Sequence, residues 1–329
     1  MKQTLIGQSG ALLSVLDKVS KLAPIERPVL IMGDRGTGKE LIAQRLHYLS
    51  KRWDKPLISL NCAALNEGIV DSELFGHESG SFSGATGKHI GRFERAEGGS
   101  LFLDELATTP TTVQEKLLRV IEYGEYERVG GRHSLQANVR LICATNVNLL
   151  ELSQQGHFRA DLLDRLAFDV IYLPSLQQRK EDILLLAEHF AMGMCQELGL
   201  PLFAGFSAKS KQALLDYAWP GNIRELKNVV ERAIYLNDKP NNPITKLVFN
   251  PFISAETSAE QEAIEPESQH IEKPVVSLPI DYKQWQHDQD TALISNALNQ
   301  AQYNQKKAAS LLGLSYHQFR GMLRKYKMV

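Results

Sequence analysis

Gly33-Asp34-Arg35-Gly36-Thr37-Gly38-Lys39-Glu40 places three glycines and a lysine within eight residues. The backbone N–H groups of such a loop converge on phosphate oxygens, and Lys39 supplies a point charge for the β- and γ-phosphates of a nucleotide. The position after the lysine, ordinarily a Ser or Thr that holds Mg²⁺, is Glu40, so a metal needs another anchor. Further on, Leu101-Phe102-Leu103-Asp104-Glu105 is an apolar run ending in paired acids. Asp104 is suited to hold Mg²⁺, directly or through water, and Glu105 to polarise a water attacking the γ-phosphate of ATP. Acids at a strand end also serve as helix caps; the phosphate loop upstream favours the catalytic role. Thr145-Asn146 close a third apolar run, where Asn146 is suited either to sense the γ-phosphate or to form a turn.

The elements around these residues read as a parallel α/β sheet. A helical stripe over Ala11–Leu22 precedes the short apolar run Pro28–Met32, which enters the glycine-rich loop and then a helix over Leu41–Leu49. Pro56–Asn61, Gly99–Asp104, Val139–Ala144 and Asp169–Leu173 are further strand candidates, and Val113–Tyr123 reads as a helix. Glu127–Gly131 reads as a turn. Phe158–Leu166 has helical spacing and carries Arg159 and Arg165, which are either solvated or, in a ring of subunits, aimed at a neighbour's nucleotide.

Between the second and third strands lies Gly76-His77-Glu78-Ser79-Gly80-Ser81-Phe82-Ser83-Gly84-Ala85. Its glycines permit sharp reversals, and Phe82 is a large apolar side chain with no periodic partner around it. By composition alone it is a surface connection; its place inside a nucleotide-binding core argues for more.

Amphipathic helices over Glu181–Leu198, Ala208–Tyr217 and Ile223–Leu236 form a small helical lid, with Ile223 suited to lie against a base and Arg224 to contact phosphate. Asn237–Ser277 reads as a linker with one ordered stretch near Thr245–Phe252. Trp285–Ala301, Gln305–Leu312 and, after Gly313 and a cap at Ser315, Tyr316–Tyr326 form three more helices. The net charge of −1 argues against a chain that coats nucleic acid throughout, but Gln302–Val329 has six Lys or Arg and no acid. Helix, Gly-containing turn and helix with bases is helix-turn-helix chemistry; DNA contacts are expected from Lys306, Lys307, Ser315, Tyr316, His317, Arg320 and Arg324. The domains are expected at 1–173 (α/β ATPase), 174–237 (helical lid), 238–283 (linker) and 284–329 (helix-turn-helix). No 18-residue apolar run or signal peptide is present, so a cytoplasmic protein without membrane insertion is expected, and Cys62, Cys143 and Cys195 read as buried reduced thiols.

Taken together, the Gly33–Glu40 loop, Ser-Leu-Asn-Cys-Ala-Ala-Leu, Glu-Leu-Phe-Gly-His-Glu, Leu-Phe-Leu-Asp-Glu-Leu, Phe-Arg-Ala-Asp-Leu-Leu, Trp-Pro-Gly-Asn-Ile-Arg-Glu-Leu-Lys-Asn and a Fis-like terminal motif resemble the bacterial enhancer-binding proteins, AAA+ activators of σ54-dependent transcription. The resemblance covers nearly the whole chain. It implies an AAA+ P-loop fold, ATP and Mg²⁺ as cofactors, a ring homo-oligomer, expected to be a hexamer, and σ54, RNA polymerase and enhancer DNA as partners. Thr37, Lys39 and Glu40 then belong to the phosphate loop, and Asn61 pairs with Glu105. Thr145 and Asn146 form the first sensor, Arg159 and Arg165 act in trans, and Arg224 is the second sensor. Gly80–Ala85 resembles the family's GAFTGA loop, which contacts σ54. Ser81 replaces Ala and Ser83 replaces Thr. Because the core starts at residue 1, the chain is most similar to the activators of phage-shock operons, with control in trans. Trp53 then resembles a contact for a PspA-like inhibitory protein; a half-buried structural Trp is the other reading. A rival from another class is a TyrR-like DNA-binding regulator of σ70 promoters with a vestigial ATPase core, whose relatives lack the loop.

Overall fold

The computed structural model describes residues 5–82, 85, 87–237, 239, 241–252, 282–301 and 304–326. They fall into two units, Met1–Pro251 and Phe252–Val329.

In chain order the first unit begins with α1 (Gly10–Leu22), β1 (Val29–Met32), α2 (Lys39–Tyr48), β2 (Leu57–Asn61), α3 (Glu67–Phe75), α4 (Arg92–Arg95) and β3 (Ser100–Asp104). Next come α5 (Thr111–Tyr123), the hairpin strands β4 (Glu125–Glu127) and β5 (Ser134–Gln136), β6 (Arg140–Thr145), α6 (Leu149–Gln154), α7 (Ala160–Leu166) and β7 (Val170–Tyr172). The main sheet has the order β2-β3-β6-β1-β7, and every adjacent pair is parallel.

Alternation along each strand explains the unbroken apolar runs. Leu30, Leu101, Leu103, Leu141 and Cys143 face a core shared with Val70, Leu74, Phe75, Val113, Leu117 and Leu162 of α3, α5 and α7. Val29, Ile31, Phe102, Ile142 and Ala144 face the opposite core, under Val19 and Leu22 of α1 and Ile42 and Leu46 of α2. With helices on both sides, neither face of a strand is left for polar residues. The parallel register also brings the carboxyl ends of β1, β3 and β6 to one edge: Met32 lies opposite Thr145 and Asn61 opposite Asp104.

The lid follows as α8 (Glu181–Glu197), α9 (Ala208–Asp216) and α10 (Asn222–Tyr235) around Leu186, Trp219, Leu226 and Val230. Ile244 is buried in this core and Leu247 and Phe249 pack against it, so the ordered stretch expected near 245–252 completes the lid.

The second unit comprises α11 (Tyr282–Gln300), α12 (Gln305–Leu311) and α13 (Tyr316–Lys325). Ser315 and Gln318 form a capping box at α13. The buried Ala308 and Ala309 meet Phe319 and Leu323, which lets α12 and α13 approach closely.

Two local readings are corrected. Glu127 is not a turn residue but the last of β4, since Glu125–Glu127 pairs antiparallel with Ser134–Gln136. Arg159 is not on a helix but caps the amino end of α7.

Candidate active site

The loop between β1 and α2 is shaped by Gly36 and Gly38, at φ 77° and 98°. A Cβ at Gly36 would lie 2.3 Å from the carbonyl of Gly221, so only glycine fits there. The first turn of α2 starts at Lys39, whose ammonium is buried and donates to the carbonyls of Gly33 and Asp34 at 2.8 and 3.1 Å. Burial pulls the Lys39 pKa below its ordinary value, against the opposing pull of Asp104, Glu105 and Asp34. The buried Thr37 gives its hydroxyl to Asp34 at 2.8 Å, while Glu40 is exposed.

Asp104 closes β3, and its carboxylate accepts the N–H of Glu105 at 3.0 Å. Glu105 has φ 53°, a left-handed conformation that β-carbon-bearing residues avoid, and this turns its side chain out of the strand line. The Asn146 amide, in the orientation that satisfies both neighbours, donates to Glu105 Oε2 at 2.8 Å and accepts from Arg35 Nε at 2.8 Å. Thr145 is fully buried and its carbonyl accepts from Gly33 N–H at 3.3 Å. The pairing of Asn61 with Glu105 is not formed here. Asn61 instead accepts the N–H of Ala63 at 2.9 Å, capping the 3-10 turn Cys62–Ala64.

From the lid, Ile223 N–H donates to the Gly36 carbonyl at 3.0 Å, and the Ile223 side chain lies about 4.0 Å from where a Gly38 Cβ would stand. Arg224 is exposed, with its Cβ beside Gly36. Arg159 pairs with Glu115 and Asp161 at 2.8 and 2.7 Å, and Arg165 with Glu122 at 2.9 Å. Both thus lie along one side of α5, next to acids of their own chain.

The 76–85 loop leaves the core through a narrow neck. A Cβ on Gly91 would come within 2.4 Å of Gly76 N, and His77 and His89 face each other across an antiparallel bridge. Arg128 clamps the base of the loop by pairing with Glu78 at 2.9 Å and Glu94 at 2.6 Å. Gly80 has φ 80° and its N–H donates to Ala85 at 2.8 Å, while Phe82, 46% exposed, sets its ring edgewise on His77 with centroids 5.0 Å apart. Ser81 lies against Gly130 of the β4–β5 turn, and its buried hydroxyl has no partner among the described residues. Ser83 and Gly84 lie outside the described residues.

Trp53 is 64% exposed, which rules out a half-buried structural Trp. Lys306, Lys307, His317, Arg320 and Arg324 are exposed on α12 and α13, Ser315 caps, and Tyr316 is half-buried. The three cysteines are buried and free. Among the described residues no helix is long and apolar enough to cross a membrane.

Comparison with known proteins accords with this arrangement. Residues 5–172 match the Sigma-54 interaction domain, 177–265 the AAA+ ATPase lid domain and 287–326 the bacterial regulatory protein, Fis family. The chain is 57% identical to the Psp operon transcriptional activator of Escherichia coli K12 over 99% of both chains. It belongs to the σ54-dependent transcriptional activators. A second member, the transcriptional regulatory protein ZraR of Salmonella typhimurium, is 48% identical over 70% of this chain and 52% of its own length. NtrX from Brucella abortus in complex with ADP superposes with a TM-score of 0.71 at 29% identity, over 98% of this chain and 70% of that one. The AAA+ fold with a helical lid and a C-terminal helix-turn-helix is thus established, and the TyrR-like reading is not favoured.

Three buried polar residues escaped sequence reasoning. Gln114 sits inside the apolar stripe of α5, where it accepts the N–H of Arg159 and donates to Thr109. Arg179 and Asn222 reach from the lid to carbonyls of the phosphate loop. Only Gln114 left a signal, a polar residue breaking a stripe of Val113, Leu117, Val120 and Ile121.

Proposed function

We propose that this activator hydrolyses ATP in a ring of identical subunits, expected to be six, and uses the hydrolysis to remodel the closed complex of σ54 and RNA polymerase. The observation that carries the reading is the convergence of Lys39, Asp104, Glu105, Asn146 and Arg35 on one sheet edge, on the same body as the clamped Phe82 loop. The residues fit a nucleotide. Gly36 and Gly38 hold the loop in left-handed turns at φ 77° and 98°, Lys39 is a buried cation at a helix start, and the α2 amides are free of side-chain caps. They also fit Mg²⁺, which characteristically takes one or two carboxylates and completes its shell with phosphate and water.

When bound, ATP supplies the transferable γ-phosphoryl group and Mg²⁺ neutralises its charge. Gly33–Lys39 hold the phosphates, Asp104 holds the metal, and Glu105 orients and deprotonates the attacking water. Asn146 restrains Glu105 until the γ-phosphate competes for its amide, with Thr145 setting its position and Asn61 taking over the carboxylate in the other state. Arg224 and Ile223 close the lid side, and Arg159 and Arg165 exchange their own acids for the phosphates of a neighbouring subunit. The Phe82 loop, Gly80–Ala85, then binds σ54 better in one nucleotide state than in the others, which is how hydrolysis does work.

The 284–329 domain places α13 in the major groove of enhancer DNA, with the 238–283 segment joining it to the ATPase at 1–173 and the lid at 174–237. Identity to the Psp operon transcriptional activator supports a phage-shock operon as target; the exposed Trp53 is the surface we assign to a PspA-like inhibitor of a cytoplasmic protein. Transcription from a σ54-dependent promoter in a purified system tests the reading: product is expected only with ATP and σ54.

A further inference from the structure

Three consecutive carbonyls of the phosphate loop are taken by three donors from the lid. Asn222 Nδ2 donates to Arg35 O at 3.1 Å, Ile223 N to Gly36 O at 3.0 Å, and Arg179 Nη2 to Thr37 O at 3.1 Å. Asn222 and Arg179 are 2% and 3% exposed, which is rare for such residues and costly unless the bonds are made. Asn222 is also held at φ 53°, in a conformation Asn tolerates better than most, and its other amide atom accepts Leu176 N–H at 2.8 Å. Arg179 lies one turn before Asp182, whose buried carboxylate accepts from Gln8 N, Ser9 N and Ser9 Oγ, so the same corner of the lid is anchored from the other side.

Carbonyls fixed toward the lid turn the adjoining N–H groups the other way, toward the phosphate side of the loop. We propose that Arg179 and Asn222 are positioning residues that pre-organise the phosphate loop from the lid, so that phosphate affinity depends on lid placement through the carbonyls of residues 35–37. The proposal rests on the nucleotide-binding reading above and adds the means by which the lid sets it. Pre-organisation raises affinity by removing ordering costs at binding.

Asn222→Asp is the selective probe. It keeps the acceptor for Leu176 N–H and keeps a residue that tolerates the left-handed backbone, but it sets an oxygen against the Arg35 carbonyl. Arg179→Met removes the other donor at similar length, and Arg179→Lys offers a shorter one. In the full chain, binding of a fluorescent ATP analogue with Mg²⁺ is expected to weaken about tenfold in Asn222→Asp and Arg179→Met, with partial recovery in Arg179→Lys. Hydrogen exchange of the residue 36–39 amides in nucleotide-free protein is expected to quicken in the same variants, with the α8 and α10 amides unchanged. Binding within twofold of the parent, or unchanged exchange at 36–39, overturns the proposal. So does an equal rise in exchange throughout the lid, which marks a merely structural role. If the parent chain binds no nucleotide, the proposed function fails, while the exchange measurement still decides the clamp. Should Arg179→Met not fold, Asn222→Asp carries both measurements.

Discussion

Glu105, at φ 53°, receives a hydrogen bond from the Asn146 amide across 2.8 Å, so the residue best placed to activate water is held by the residue best placed to sense phosphate. The left-handed backbone costs about 1–2 kcal/mol for a residue with a β-carbon. Glu105→Ala is expected to lower turnover by about 10²- to 10⁴-fold while nucleotide binding persists. Glu105→Gly is expected to abolish turnover and yet leave the protein equally or more stable, because relief of the strain exceeds glycine's extra unfolded-state entropy of about 0.4–1 kcal/mol. Thermal unfolding and steady-state hydrolysis of the two variants check this; wild-type turnover in either removes Glu105 from its role.

Ser81 marks where this loop departs from the family pattern it resembles. Its hydroxyl is buried against Gly130 without a partner among the described residues, a cost of about 1–3 kcal/mol. Ser81→Ala, which restores the family's residue, is therefore expected to slow hydrogen exchange at the loop base, including Glu78 and Ser81 N–H. Faster exchange contradicts the buried-hydroxyl account.

His47 is buried with Nδ1 3.0 Å from Ser100 Oγ, and burial lowers its pKa below the ordinary 6.5; a backbone contact with Lys55 opposes the shift and the charge of Arg140 adds to it. Between the lowered folded value and 6.5 the unfolded chain binds the proton and the folded chain does not. Stability is thus lost as pH falls below about 6.5 and levels off once the folded state also protonates. His47→Gln is expected to flatten Tm against pH over that interval; an unchanged slope assigns it to other groups.

The exposed bases of α12 and α13 lie opposite the Phe319 and Leu323 core of the second unit. Deleting residues 301–329 is expected to abolish enhancer footprinting and leave hydrolysis intact, since the residues proposed for catalysis lie in the other unit. An unaltered footprint contradicts the DNA assignment.

The strands, the phosphate loop, the acid pair and the terminal helices were legible because each is a local pattern: an apolar run, a glycine spacing, a cap. The β4–β5 hairpin was not, since three-residue strands carry too little alternation to register. The partner of Glu105 was obscure for a different reason. Asn61 ends β2 and Asn146 directly follows β6 at the same sheet edge, and only the backbone turn at Cys62–Ala64, which takes the Asn61 side chain, decides between them here. Arg179 and Asn222 act through carbonyls well over a hundred residues away, and no periodicity reports such a bond.

Hydrolysis at the Lys39–Glu105 site is proposed to drive σ54 remodelling through the Phe82 loop. Open-complex formation, read by permanganate reactivity of the melted strand at a σ54 promoter with purified holoenzyme, is the decisive measurement. Melting is expected with ATP, and none for Glu105→Ala or for Phe82→Ala, the latter still hydrolysing ATP. Hydrolysis by the parent chain with no melting, or melting undiminished in Phe82→Ala, would contradict it.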